Sequence, residues 1–141
     1  MGKINADQPV MRTSVNGVRE WLLNGKLHRT DGPAVISSKF QAWHLNGKQH
    51  RVDGPAYIRG NRQEWFLNGQ RHCTDGPAYI DGDHQEWYLN GKCHRTDGPA
   101  YINGDYQAWY LDGIEYQFNV WLDEIKATSE EKTMLRLKWV K

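Results

Sequence analysis

Polar and apolar positions alternate in short runs along most of the chain, and the runs recur. In the stretch from Gln41 to Ile58, an alternating Gln-x-Trp-x-Leu ends at Asn46-Gly47. A second run follows and is interrupted by Asp53-Gly54-Pro55 before Ala56-Tyr57-Ile58. Alternation with period two marks half-buried strand, and Asn-Gly between two such runs marks a hairpin closed by a type I′ turn, whose central residues both take positive φ. The unit returns every 22 residues. Its tryptophans are Trp21, Trp43, Trp65, Trp87 and Trp109, and Leu-Asn-Gly begins at Leu23, Leu45, Leu67 and Leu89, with Leu111-Asp112-Gly113 in the fifth copy. His28, His50, His72 and His94 keep the same phase, as do the Asp-Gly-Pro-Ala tetrads beginning at Asp31, Asp53, Asp75 and Asp97. A fixed period of this size signals an array of stacked repeats.

A two-residue loop at Asn46-Gly47 pairs Leu45 with Lys48, Trp43 with His50 and Ala42 with Arg51. The same spacing sets Trp21 opposite His28, Trp65 opposite His72, Trp87 opposite His94 and Trp109 opposite Tyr116. Each imidazole is expected to stack on its Trp, with the Asp three residues on as a second partner; such cross-strand pairs contribute roughly 0.2–1 kcal/mol. Pro removes a ladder donor, so Asp-Gly-Pro should kink or bulge the second strand, Lys48 to Ile58. One face then collects Gln, Trp, Leu, Ala56 and Ile58. The other collects His44, Phe66, Tyr88 and Tyr110, with Tyr57, Tyr79 and Tyr101, and pairs Glu20 with Arg29 and Glu86 with Arg95. The expected fold is mainly β: an elongated, single-layer antiparallel meander of about five hairpins and ten strands, closed by a C-terminal helical cap.

The cap is read from a change of period. Phe118, Trp121, Leu122 and Ile125 fall at helical spacing, and Thr128-Ser129-Glu130-Glu131 is a capping box opening a second helix that carries Met134, Leu135, Leu137 and Trp139. Three segments result: a flexible start at 1–12, a repeat array at 13–116 and the cap at 117–141, with a partner-recruiting tail as the other reading of the last. Met1-Gly2-Lys3-Ile4-Asn5-Ala6 lacks the Ser or Thr of a myristoylation signal. No leader and no membrane-length apolar run is seen in the sequence.

Composition sharpens the picture in two ways. The net charge of +1 hides a gradient: residues 1–71 carry eleven Lys/Arg against five Asp/Glu, whereas residues 72–113 carry two against seven. Along a linear array that is either drift at solvated positions or an electrostatic register for a long partner or for head-to-tail self-association. The two cysteines, Cys73 and Cys93, sit in neighbouring hairpins about 10 Å apart by strand spacing, beyond disulfide reach. Free thiols fit a cytoplasmic protein.

Little in the chain suggests catalysis. His-x-x-Asp occurs four times, but equivalent histidines one repeat apart cannot converge on one metal ion, and identical chemistry repeated along a surface is not an active site. Neither a nucleophile elbow nor a phosphate-cradling loop is present. No catalytic residue, metal or cofactor is therefore assigned. Basic residues interleaved with rings could stack single-stranded nucleic acid, but only the first half is basic. The candidate binding residues are the aromatic stripe Tyr57, Phe66, Tyr79, Tyr88, Tyr101 and Tyr110, because such rings combine area with low side-chain entropy. Packing of that stripe under the C-terminal helices is its alternative.

The motif Trp-x-Leu-Asn-Gly-Lys-x-His-Arg-x-Asp-Gly-Pro-Ala resembles a diverged MORN-type repeat over about residues 15–113. With the tail Ser129 to Trp139, it is similar to small proteins of tailed bacteriophages and repeat proteins of large DNA viruses. The chain departs from the family in lacking its Gly-x-Gly and in carrying Asp-Gly-Pro-Ala. The resemblance implies a non-enzymatic scaffold: a phage accessory protein that binds and blocks a host protein such as a defence component. The alternatives are a sponge for a nucleotide or nucleic acid and an antitoxin-like or structural protein.

Overall fold

The computed structural model describes residues 7–140. Part of the expected flexible start, residues 1–6, lies outside the described residues, and the myristoylation reading with it. Val10–Thr13 of that start is strand, paired along Arg19–Leu23. The fold is mainly β, with 18 strands and two C-terminal helices among the described residues, and the chain forms two compact units, Met1–Arg71 and His72–Lys141.

The Asn-Gly turns take the expected form. Asn24, Asn46, Asn68, Asn90 and Asp112 have φ of 50–51°, and the glycine after each has φ of 75–85°. Asn and Asp tolerate this left-handed region and Gly enters it freely, so the turns close with Leu45 opposite Lys48, Leu67 opposite Gln70 and Leu89 opposite Lys92.

The fifth hairpin continues as expected, with Trp109 opposite Tyr116, but beyond the first pairs the middle hairpins depart from one continuous ladder. In the second repeat the chain leaves one sheet and enters another at Trp43. Its N–H donates to the Ala56 carbonyl (2.8 Å), while its own carbonyl accepts from His50 N–H (3.1 Å). Trp87 does the same between Ala100 and His94, whereas Trp21, with equivalent bonds to Ala34 and His28, stays inside the unbroken strand Arg19–Leu23, whose hairpin partner Lys26–Leu27 remains in the main sheet. Trp43 and Trp87 are thus pivots. Before Trp43, Gln41–Ala42 belongs to a main sheet, where Ala42 pairs with Val35 and Tyr57 rather than with Arg51. After it, His44–Leu45 and Lys48–Gln49 form a separate two-stranded ribbon. The Asp-Gly-Pro segment is a full break that returns the chain to the main sheet, not a kink inside one strand. Each of the middle repeats therefore makes two short hairpins, which is why the strands outnumber the ten expected.

In the first unit the main sheet runs in the order Val10–Thr13, Arg19–Leu23, Val35–Ile36, Gln41–Ala42, Tyr57–Arg59, Arg62–Glu64. In the second it runs Tyr79–Asp81, His84–Glu86, Tyr101–Asn103, Tyr106–Leu111, Ile114–Tyr116. All pairs are antiparallel. Ribbons of successive repeats are joined by Gly47 N–H to Leu27 O and Arg29 N–H to His44 O in the first unit, and by Gly113 N–H to Cys93 O and Arg95 N–H to Tyr110 O in the second.

The core of the repeats is made of small residues. Ala34, Ala56, Ala78 and Ala100 are fully buried, with Val35, Ala42 and Ala108 nearly so, while the repeat tryptophans are only half-buried. Larger burial is confined to the C-terminus. Helix α1 (Phe118–Glu124) buries Trp121 and Leu122, and Ile125 follows; they pack on Trp109, Leu111, Tyr116 and Leu135. Helix α2 (Ser129–Trp139) opens on the expected box, Thr128 N–H donating to Glu131 and Glu131 N–H to Thr128. It buries no residue, and Met134 and Leu137 are 66% and 74% exposed. No described helix is long and apolar enough to cross a membrane.

Candidate functional site

The faces of the main sheets follow from register. Ile58 lies opposite Gln41 and Gln63, and Ile102 opposite Gln85 and Gln107, so Ile and Gln share one face as expected. The other face carries Tyr57 between Ala42 and Glu64, and Tyr101 between Glu86 and Ala108, with Tyr79 opposite Glu86. In the second unit the His84 ring sits 4.9 Å from both Tyr79 and Tyr101, and Tyr101 meets Tyr106 edge-on at 5.8 Å. His84 Nε2 also lies 2.7 Å from Glu86 Oε1. In the first unit Tyr57 stacks on Phe40 at 5.6 Å and has the Arg62 guanidinium over it. Glu64, nearly buried, is held between Arg62 (2.6 Å) and Arg71 (2.7 Å). Tyr106, 61% exposed, is the most open ring of this face.

The six candidate residues divide between two kinds of surface. Tyr57, Tyr79 and Tyr101 stand on the main-sheet face. Phe66 and Tyr88 stand on the two-stranded ribbons, opposite Arg71 and Cys93. Tyr110 lies on the long strand Tyr106–Leu111 opposite Glu115, to which its hydroxyl donates (2.8 Å); that bond, with burial, pushes the phenol up to about 12. Phe40 and Arg62 join this face in the first unit, and His84 and Tyr106 in the second; none is among the sequence candidates. Their signal is in the sequence, since each falls two residues before the cross-strand partner of a Tyr.

The rings of Trp21, Trp43 and Trp87 are covered by arginine, not histidine. Arg51 Cζ lies 4.1 Å above the Trp43 ring, Nε donates to Asp53 Oδ1 (2.8 Å) and Nη1 to the Pro55 carbonyl (3.2 Å). Arg29 grips Trp21, Asp31 and Pro33 in the same way, and Arg95 grips Trp87, Asp97 and Pro99. A Cβ on Gly54 would approach Arg51 Cζ to 3.0 Å, so glycine lets the guanidinium lie flat on the turn. This explains Arg-x-Asp-Gly-Pro-Ala residue by residue: carboxylate, flat seat, carbonyl acceptor, buried methyl. The expected pairs Glu20–Arg29 and Glu86–Arg95 give way to Arg12–Glu20 and to the clamps. Hydrogen bonding to Arg51, then its charge, holds the Asp53 carboxyl below the ordinary range, and Arg29 does so for Asp31. At Asp97 burial opposes ionisation, but Arg95 outweighs it.

The histidines reach forward one repeat. Asn46 N–H donates to His28 Nδ1 (3.1 Å), and the Asn46 side-chain amide lies 3.0 Å from the same nitrogen; His50 and Asn68 repeat this, as do His72 and Asn90. The expected His–Asp contact gives way to this bond: Asp31, Asp53 and Asp97 are turned toward arginine, and Asp75 toward the Thr74 hydroxyl. In the fifth turn Asp112 takes the place of Asn, 3.1 Å from His94 Nδ1.

His44 departs from the repeat. Phe66 and Tyr88 fill its position in later copies, whereas the His44 Nδ1 is buried without a hydrogen-bond partner among the described residues. Burial pushes the imidazole down, partly opposed by Ala42. Neutral His44 therefore supports the fold above the unfolded-chain value near 6.5, and that support is lost as pH falls through the folded value. His44→Phe should flatten the loss of melting temperature between pH 7.5 and pH 5 and leave the fold at least as stable near neutrality. A thermal series across that range checks both.

Both cysteines are free thiols. Burial, with the charges of Glu86 and Glu115, raises Cys93 to about 12, which keeps it protonated and unreactive. Among the described residues no three His, Cys, Asp or Glu side chains converge on a common point. No protein-family model matches the chain, and neither a curated protein nor a solved structure matches it.

Proposed function

We propose that the protein is a non-enzymatic repeat scaffold that binds another protein through the tyrosine face of its main sheets. The observation that carries this is the Tyr79–His84–Tyr101–Tyr106 row. Its rings are ordered by one another and by the strand register before any partner arrives, so little side-chain entropy is lost on binding. Tyr presents both area and a hydroxyl to a partner. The resemblance to phage proteins adds the target class, a host-cell protein such as a defence component that the scaffold occupies and blocks. A nucleotide sponge is the less favoured reading: the Arg29, Arg51 and Arg95 guanidinium groups that a phosphate would need are engaged by Asp and Trp.

The test pairs capture with stability. Tyr79→Ser with Tyr101→Ser, and separately the more exposed Tyr106→Ser, should reduce capture of a protein from bacterial lysate at least about tenfold, equivalent to ~1.4 kcal/mol. Tyr106→Ser should move the melting temperature little. Nuclease treatment should leave capture intact. Capture that survives all three substitutions, or vanishes with nuclease, would overturn the proposal.

A further inference from the structure

The third repeat breaks the clamp. Where the first, second and fourth repeats carry Arg29, Arg51 and Arg95, it carries Cys73, yet it keeps the rest of the tetrad, Asp75, Gly76, Pro77 and Ala78. The consequences are local and visible. At Gly32, Gly54 and Gly98 an added Cβ would meet an arginine Cζ at 3.0–3.2 Å, whereas at Gly76 nothing lies within 4 Å. Asp75 is met by the Thr74 hydroxyl at 3.0 Å, where each other tetrad has its Asp on an arginine Nε at 2.6–2.8 Å. Cys73, Asp75, Gly76 and Pro77 line an open cleft of about 480 Å³ with Trp87, Arg95 and Asp97 in its far wall; the equivalent cleft between the first two repeats, with Arg29 and Arg51 in place, measures about 500 Å³, so what the third repeat lacks is the guanidinium on the tetrad and not the cleft.

We propose that this emptied tetrad is a binding site for a guanidinium group, filled by an arginine side chain of the partner protein. The chain itself shows three times how the seat works: the carboxylate takes Nε–H, the Pro carbonyl takes a terminal N–H, and the plane rests on the bare glycine. An incoming guanidinium can make these same contacts at Asp75, Pro77 and Gly76. A lysine ammonium can satisfy the carboxylate but has no plane to lay on the glycine and no fork to span both acceptors. The long-range field has the right sign, because residues 72–113 carry two Lys/Arg against seven Asp/Glu. As a recognition element the site rests on the protein being a binding module; as a guanidinium seat it does not.

The experiment separates those two claims. Amide NMR of the full chain is followed during titration with n-propylguanidinium and, separately, n-propylammonium, both kept far below denaturing concentration. Saturable shifts at Thr74–Gly76 are expected with the first and about tenfold weaker binding with the second, the cost of one lost fork contact. Cys73→Arg should abolish the response and raise the melting temperature, since the chain then fills its own seat. Asp75→Asn, at an exposed side chain, should abolish it without unfolding. Equal shifts at Gly32, Gly54 and Gly98, or an unchanged response in Cys73→Arg and Asp75→Asn, would overturn the site. Two further arms address the occupant. A capped Gly-Arg-Gly peptide should bind at least as well as free arginine, and Cys73→Arg should weaken partner capture. Preference for free arginine, or self-association of the wild type that Cys73→Arg removes, would keep the seat but overturn a partner's arginine as its occupant.

Discussion

Trp121→Ala is expected to destabilise the protein by about 3–5 kcal/mol, the usual range for deleting a fully buried large aromatic. Trp121 and Leu122 are both wholly buried, and together with Ile125 they form a cluster against Trp109, Leu111 and Tyr116. Phe118 links the helix to the last repeat, stacked on Trp121 at 6.0 Å and edge-on to Trp109 at 5.2 Å. The indole N–H also donates to the Arg95 carbonyl at 3.0 Å, so its loss leaves a backbone acceptor unpaired. In a fold whose repeats bury little more than alanine methyls, no other cluster can take up the deficit. Urea denaturation read by far-UV dichroism and by Trp fluorescence should show the C-terminal unit unfolding first. Leu137→Ser, on the exposed side of α2, should shift the same curve by less than about 0.5 kcal/mol. Comparable losses from both substitutions would show that α2 is packed in solution and that stability is not concentrated at α1.

The contrast between the two helices shows what the chain's patterning could and could not say. Phe118, Trp121, Leu122 and Ile125 lie at i, i+3, i+4 and i+7, and the structure buries the last three. Met134 and Leu137 also fit a helical stripe, but the structure leaves them open, because period alone says which residues share a face and not whether anything covers it. The turns were legible for a stronger reason. Positive φ at Asn46 and Gly47 is a property of those residues, so the first pair of the hairpin, Leu45 with Lys48, follows from local chemistry. The next pairs failed where the ladder was extended through Trp43. A residue whose N–H serves one sheet and whose carbonyl serves another leaves no mark on the alternation, and Ala42–Arg51 was the casualty.

The same break decided how much of the candidate site could be seen. Tyr57 in the first unit, and Tyr79 and Tyr101 in the second, each stand on the expected face of their own sheet because each sits within one unbroken strand, where period two holds. Period two carried through Trp65 and Trp87 places Phe66 and Tyr88 on that face as well, but the break at each Trp puts them on ribbons instead. The arginine clamp was within reach of the spacing alone: Arg, Asp, Gly and Pro recur at fixed offsets in three copies. Once the histidine is assigned to the Trp face, though, Arg has no surface left to occupy. The structure resolves the conflict by sending His28, His50 and His72 to the next turn's Asn and His94 to Asp112.

That assignment makes Arg51 the informative residue for the repeats. Arg51→Ala is expected to cost about 2 kcal/mol. The ion pair with Asp53 is the smaller part of that, because the Asp53 side chain is 76% exposed and the pair is screened by solvent. The larger share comes from the guanidinium stacked at 4.1 Å on Trp43, worth roughly 1–2 kcal/mol when partly desolvated. The bond to the Pro55 carbonyl adds to it. If this division holds, Arg51→Lys should recover less than half of the loss, since an ammonium keeps the charge but neither the plane nor the fork. Gly54→Ala should also destabilise, by pressing a methyl into Arg51 Cζ from 3.0 Å, and its cost should shrink in an Arg51→Ala background, where that clash is gone. Chemical denaturation of the four variants, Arg51→Lys, Arg51→Ala, Gly54→Ala and the double substitution, gives each term. A lysine variant as stable as the wild type would reduce the clamp to simple charge pairing. Additive costs for Gly54→Ala and Arg51→Ala would mean that the glycine is required for the turn itself and not as the seat of the guanidinium.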